Sequence, residues 1–280
     1  MEDGLLSLDE TLGDIFPDDA AWAEVTDGSN DFRKGVTIEE LLTLTSGLFD
    51  TVEMLIFSGP EPGGQSLQGS FSYALLGVKG EFAYLAASQI HSYIIKERTG
   101  MTPRQYLAEH LMGKLGIGED EYDWNQTGDG IEFGVFGLML TPMQMAKFGQ
   151  LYLQGGRTNP SNDERLISEK WIDASFTHHS TINFSLSFGE ERLEGKPYGY
   201  FFAGLEHPSG STVYCALGFG GNQICVDRDH SRVLIVQRDI SGEFPVEFKY
   251  LDLIVDNTVS FRAHNGGLSG ISSTVESRAE

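Results

Sequence analysis

A hydroxyl becomes a useful nucleophile only when a base takes its proton, and the most compact local arrangement is a lysine three residues after a serine, one helical turn away. No serine from Ser7 to Ser277 is followed by lysine at that distance. A G-x-S-x-G elbow is missing too, since Gly64-Gln65-Ser66-Leu67 runs into Gln68. Asp123, Asn125, Thr127 and Gly128 begin like a calcium loop, but Gly134 stands at the twelfth position, where a bidentate glutamate is required, so the stretch reads as a loose acidic loop. His178-His179 lacks H-E-x-x-H spacing and nearby cysteines, and reads as a solvated pair. Cys215 and Cys225 flank a Gly-rich turn and could face each other across a hairpin; the expected state is two buried free thiols. These patterns predict no metal and no cofactor.

The composition narrows the partners. Forty-one acidic residues against 19 basic ones give a formal charge of -22, which repels a nucleic-acid backbone or an anionic membrane at long range. Nucleic-acid binding is therefore not expected. A hydrophobic content of 40% in 280 residues allows a sizeable core. No apolar run reaches the roughly 18 residues needed to span a bilayer, and MEDGLLSLDE has neither the basic region nor the apolar stretch of a signal peptide. The compartment stays open.

The elements that would position a site can be read from caps and periodicity. Gly4 reads as a helix stop. Thr37 and Glu40 have capping-box spacing ahead of Ile38, Leu41, Leu42 and Leu44, predicting a short helix ended by Gly47. Residues 49–80 are rich in Gly, Pro and Ser and read as a long loop. A helix is predicted over Ala83–Glu97, stopped by Thr99-Gly100, and another over Thr102–Lys114, with Pro103 in its first turn. Thr141-Pro142 opens a further helix through MQMAKFGQLYLQ, residues 156–164 form a polar loop, and Trp171 sits in a shorter helix. The stretches YGYFFAGL, STVYCALGF, NQICVD and RVLIVQRD then read as successive antiparallel strands, and residues 246–255 as a closing helix.

The segments VTIEELLTLTSGL, FAYLAAS, GLMLTPMQMAKFGQLYL and YCALGFGGNQICVD, in that order from Val36 to Asp227, together resemble the β-lactamase-related serine hydrolases, which include class C β-lactamases, DD-peptidases, esterases and 6-aminohexanoate-dimer-type amide hydrolases. VTIEELLTLTSGL resembles the "ITI..LL.HTSGL" signature, with Leu44 where histidine is common. Leu115-Gly116-Ile117 resembles the "PLGI" turn, with Lys114 in place of proline. FGVFGLMLTPMQMAKFGQLYLQGG is similar to "GG.GL..TP.DMAKFG.LYL..G". KGEFAY resembles "PG..F.Y", which puts Tyr84 at the catalytic tyrosine, with Ala86 where Asn or Ser is usual two residues on. The strand motif K-[ST]-G maps to Ala216-Leu217-Gly218, without its lysine.

The resemblance implies an α+β, β-lactamase/transpeptidase-like fold: an antiparallel sheet flanked by helices plus a helical region, with the leading strands and nucleophile helix missing. It implies a domain over residues 1–261, incomplete at its N-terminus, and residues 262–280 read as a flexible tail. The implied chemistry is acyl-enzyme hydrolysis of a small-molecule ester or amide, with Tyr84 helping to move the serine proton. Leu217 and Gly218 would line the substrate, and the Phe219 N–H would be an oxyanion donor. Gly218 could equally mark a bulge or a tight bend. Since serine and lysine of the nucleophile motif are not among the 280 residues, these residues are expected to be inactive by themselves. The alternative expectation is a non-catalytic relative that binds a ligand or partner in the cleft.

Overall fold

A computed structural model of the chain describes residues 4–18, 22, 30–49, 75–76, 78–84, 88–134, 136–159, 161, 165–183, 193–207, 209–218 and 221–237. The chain divides into two units, residues 1–140 with 179–201 and residues 141–178 with 202–280. Residues 246–255, expected to form a closing helix, and the expected tail at 262–280 lie outside the described residues, as do Phe219 and Ala86.

The first unit is organised by short, strongly capped helices. Helices α1 (Leu12–Ile15) and α3 (Ile38–Leu42) span barely one turn, too short to hold themselves in water. Each is opened by a capping box, Thr11 with Asp14 and Thr37 with Glu40, in which hydroxyl and carboxylate each accept a backbone N–H. The two caps face each other: Leu12 N donates to Val36 O at 2.8 Å and Ile38 N to Glu10 O at 3.0 Å. Between them lies α2 (Asn30–Lys34). Leu12, Ile15, Val36, Ile38 and Leu41 are buried together with Ile90, Tyr93 and Ile94 of α4 (Ser88–Thr99), and this shared core stabilises elements that propensity alone would not. An Arg98–Glu10 ion pair also ties α4 to the segment before α1.

Helix α4 starts later than its periodicity suggests, leaving Ala83 and Tyr84 ahead of its first residue. Gly100 stops it at φ +72°, as read from Thr99-Gly100. The predicted helix from Thr102 is real but changes character: α5 (Pro103–Leu107) passes into a π turn over Ala108–Met112 and a 3₁₀ turn over Gly113–Leu115. Within the loop expected over residues 49–80 the structure places strand at Phe49 and at Leu75–Leu76, where β1 (Leu48–Phe49) pairs antiparallel with β2 (Leu75–Leu76). The acidic stretch supplies β3 (Asp123–Trp124), which pairs with β4 (Leu138–Met139). Thr127 then closes a turn on Ile131, whose N–H and carbonyl both bond its hydroxyl. Strands β5 (Ser180–Thr181) and β6 (Pro197–Tyr198) complete this unit as an antiparallel pair.

The second unit is a meander packed on two helices, α6 (Pro142–Leu153) and α7 (Glu169–Ser175). Its strands β7 (Ala203–Glu206), β8 (Thr212–Gly218), β9 (Asn222–Asp227) and β10 (Arg232–Val236) pair antiparallel in sequence order. Side chains alternate across the sheet with a period of two. Tyr214, Ala216 and Val226 thus share the face that packs with Tyr152, Ile172, Phe176 and Phe202. Helix α6 lies close to that face at Gly149, where an added β-carbon would lie 2.5 Å from Val233 Cγ1 and 3.1 Å from Ile224 Cγ2.

The cysteines differ from expectation. Cys215 and Cys225 are directly opposite in the β8–β9 register, their α-carbons 4.1 Å apart, and they form a disulfide. The symmetric spacing about the turn places both side chains on the same face, so a cross-strand bridge forms without displacing either strand.

Two outcomes test this packing. Gly149→Ala should destabilise the protein by about 1–3 kcal/mol through overpacking, read as a lower denaturant midpoint at unchanged slope. Replacing both cysteines by alanine should cost about 2–3 kcal/mol, because the bridge closes a short loop in the unfolded chain. Two alkylated thiols in denatured, unreduced protein would show instead that the bridge is absent.

Candidate active site

Tyr84 is placed by backbone hydrogen bonds rather than by a helix. The segment after α3 turns through Leu44, which is buried at φ +56°, and Gly47, at φ +73°. It then meets the chain coming from β2. Gly80 N donates to Thr45 O at 2.8 Å, and Ala83 N donates to Leu44 O at 2.8 Å. Together with the Leu48–Leu76 and Phe49–Leu75 pairs of β1 and β2, these bonds fix the backbone up to the residue before Tyr84.

The hydroxyls of this turn are engaged. Thr43 Oγ1 donates to Glu39 O at 2.8 Å and lies 2.8 Å from Thr45 Oγ1, while Ser180 Oγ donates to Thr43 O at 2.8 Å. Ser46 is fully buried and accepts from Leu48 N at 3.2 Å. Lys79 is exposed and pairs with Glu40 at 3.0 Å while donating to Gly35 O.

Tyr198 lies on β6, in a stretch that the sequence alone marks only as strand. It is buried, and its ring meets Phe82 edge to face at 4.9 Å. Tyr200, two residues on, stacks on His179 at 4.3 Å and donates to Glu39 Oε1 at 3.2 Å. The only signal for this tyrosine wall was the two-residue spacing of Tyr198 and Tyr200, which the run of aromatics around them obscured.

Burial governs the phenols. It pushes the Tyr84 hydroxyl up to about 12, although part of the side chain is exposed. Burial raises Tyr198 well above the ordinary phenol value, and the neighbouring Tyr84 phenol raises it further. Tyr200 is also pushed up to about 12, first by burial and then by the Glu39 carboxylate. At neutral pH all three are protonated hydrogen-bond donors.

Leu217 and Gly218 lie in the second unit, at the end of β8. Gly218 pairs with Asn222 in unbroken register, so the glycine marks neither a bulge nor a bend. A β-carbon there would meet only Asn222, at 3.4 and 3.5 Å. Gln223, opposite Leu217, is buried with both amide atoms unpartnered among the described residues. Also among the described residues, no group of three or more His, Cys, Asp or Glu is arranged to hold a metal ion, and no helix is long and apolar enough to cross a membrane.

An antiparallel meander carrying a disulfide hairpin, helices on one face, and a helical unit ordered by capped turns define a β-lactamase/transpeptidase-like α+β fold. The family model described as Beta-lactamase matches residues 1–250, and the chain belongs to that family. An octameric penicillin-binding protein homologue from Pyrococcus abyssi matches with a TM-score of 0.62 and 18% identity, over 90% of this chain and 61% of that one. Simvastatin synthase from Aspergillus terreus matches with a TM-score of 0.58 and 18% identity, over 84% of this chain and 72% of that one. A D-stereospecific amidohydrolase from Streptomyces sp. matches with a TM-score of 0.57 and 16% identity, over 84% of this chain and 75% of that one. These identities carry the likeness of fold alone. The chain thus spans 61% of the length of the Pyrococcus abyssi protein. No curated protein matches the sequence.

The phenols predict an alkaline limit to stability. A folded-state value near 12 against an unfolded value near 10 means that the unfolded chain releases its phenolic protons first. Stability from Tyr84 and Tyr200 is therefore complete below pH 10 and is lost as pH rises from 10 to 12. Melting temperature measured over this window should fall, and the fall should be shallower in Tyr84→Phe.

Proposed function

We propose that these residues form the tyrosine and strand portions of an acyl-transfer site for a small-molecule ester or amide, with Tyr84 as the proton-handling phenol. Leu217 and Gly218 are the proposed strand wall, and the Phe219 N–H is the proposed oxyanion donor. The observation that carries the reading is the setting of Tyr84: a desolvated phenol at the end of a hydrogen-bonded turn, in a sequence motif that resembles the family's catalytic tyrosine. Gly218 supports it, since neither crowding nor a positive φ demands glycine there, while a bare strand leaves room for a substrate.

In this reading a serine Oγ attacks the carbonyl carbon as its proton passes to the lysine–tyrosine pair. The leaving alcohol or amine takes a proton from that pair, and water then cleaves the acyl-serine ester. No serine–lysine pair of the required spacing lies within the 280 residues, so on their own they are proposed to be inactive toward esters.

The 280-residue polypeptide should therefore give no saturable hydrolysis of a p-nitrophenyl ester, and saturable turnover abolished by Tyr84→Phe would overturn its inactivity. In the longest natural polypeptide containing these residues, a fluorophosphonate should label the serine of an S-x-x-K motif. There Tyr84→Phe should lower kcat by about 10²–10⁴-fold, the usual range for a proton-transfer group. Full activity of Tyr84→Phe would remove Tyr84 from the mechanism. Absence of labelling would favour a cleft that only binds.

A further inference from the structure

The β7–β8 and β9–β10 turns lie at the same end of the second unit's sheet, because β8 runs from Thr212 to Gly218 and β9 runs back from Asn222 to Asp227. There His207 and His230 bring their rings to a centroid separation of 5.0 Å, tilted by 48°. Gly218 is at the other end of β8, roughly 20 Å away at the usual rise per strand residue. This pair is therefore separate from the acyl-transfer reading and does not rest on it.

Each ring is held from behind through Nδ1. His230 Nδ1 lies 2.9 Å from Asp227 Oδ2 and 3.1 Å from Oδ1, and its backbone N–H donates to Oδ1 at 3.1 Å. Asp227 is buried and also accepts from Arg232 Nε at 2.7 Å. Paired with Arg232, Asp227 acts as an acceptor, so its contact with His230 runs through an Nδ1 proton and leaves Nε2 as the ring nitrogen available for ligation. His207 Nδ1 lies 2.7 Å from Ser209 Oγ, which lies 3.1 Å from Ser211 Oγ, and Ser209 N approaches the same nitrogen at 3.1 Å. Both Nε2 atoms have no protein partner among the described residues.

We propose that His207 and His230 form a two-histidine site for a first-row divalent ion of the copper, nickel and zinc class, bound through both Nε2 atoms with water completing the shell. Imidazole suits these ions, whereas magnesium and calcium require oxygen ligands. The Asp227–His230 arrangement is the carboxylate–histidine pairing that orients a ligating ring and raises its basicity. Ligation at His207 Nε2 places the ring proton on Nδ1, where Ser209 Oγ accepts it, and the bond from Ser209 N is given up. Metal–nitrogen bonds of about 2.0–2.1 Å from two rings to one ion are compatible with a centroid separation of 5.0 Å. The formal charge of -22 raises the local concentration of any cation.

Calorimetric titration of the metal-free 280-residue chain with copper, nickel, zinc and magnesium chlorides tests the site. One ion per chain is expected, copper tightest and magnesium unbound. His207→Ala and His230→Ala should each weaken binding by at least about tenfold, as losing one of two ligands or more should. The change His178→Ala with His179→Ala should leave it unaltered. Both site histidines sit on turns, and His207→Gln and His230→Gln provide milder variants whose melting temperature in the absence of metal should match the parent. Copper affinity indifferent to both His207 and His230, magnesium bound as tightly as copper, or no binding at all would overturn the site.

Discussion

Gly47 lies so close to Lys79 that a β-carbon there would sit 2.9 Å from the Lys79 nitrogen and 3.1 Å from its α-carbon. Its φ of +73° independently disfavours a side chain. This close approach lets the chain leaving α3 pair with the chain entering from β2, and the location of Tyr84 follows from that pairing. The cost appears at Leu44, a non-glycine residue at φ +56°, which carries roughly 1–2 kcal/mol of steric penalty. Complete burial of its side chain and the Ala83–Leu44 hydrogen bond offset that strain. Where the family signature commonly has histidine, this chain thus has an aliphatic side chain that helps to hold the turn.

The same desolvation that packs the tyrosines sets what they can do. A phenol pushed up to about 12 donates well at neutral pH but is a poor base, because its anion would be stranded away from water. Making it a base requires a cation: at about 4 Å and an effective dielectric of about 20, one positive charge favours the phenolate by about 4 kcal/mol. Lys79 is paired with Glu40 and the Gly35 carbonyl, which fixes it as a brace between α3 and the turn. At neutral pH Tyr84 is therefore a proton donor.

How much could be read in advance depended on how local the responsible interaction was. The Thr37 box, the Pro103 and Pro142 helix starts and the last three strands of the meander follow from neighbours a few residues apart and were legible, whereas YGYFFAGL, which reads as one strand, is split between β6 and β7 with Phe201 at φ +61° between them. The start of α4 was not, because the periodicity of Tyr84 and Ala87 with Ile90 is compatible with a helix, while the bonds from residues 80 and 83 to 45 and 44 bridge nearly forty residues. The disulfide was missed for a different reason. Composition favoured free thiols, and only strand register, which decides whether two side chains face one another, could settle it. Tyr84 and Gly218 could be singled out by motif, whereas Tyr198 became visible only through its packing on Phe82.

The second unit holds β8 differently at its middle and at its ends. In its middle, β8 is bridged to β9 by the disulfide and packed by Tyr214 and Ala216 against the helices, so its path is held on both faces. At one end Gly218 continues the ladder without a side chain. At the other, the turn histidines stand on carboxylate and hydroxyl supports that are themselves fixed by short local bonds. A strand pinned in this way transmits little displacement, since packed cores resist continuous deformation. Events at the histidine end are therefore expected to leave the Gly218 end where it is, and any influence of one on the other would have to travel through charge rather than through movement of β8.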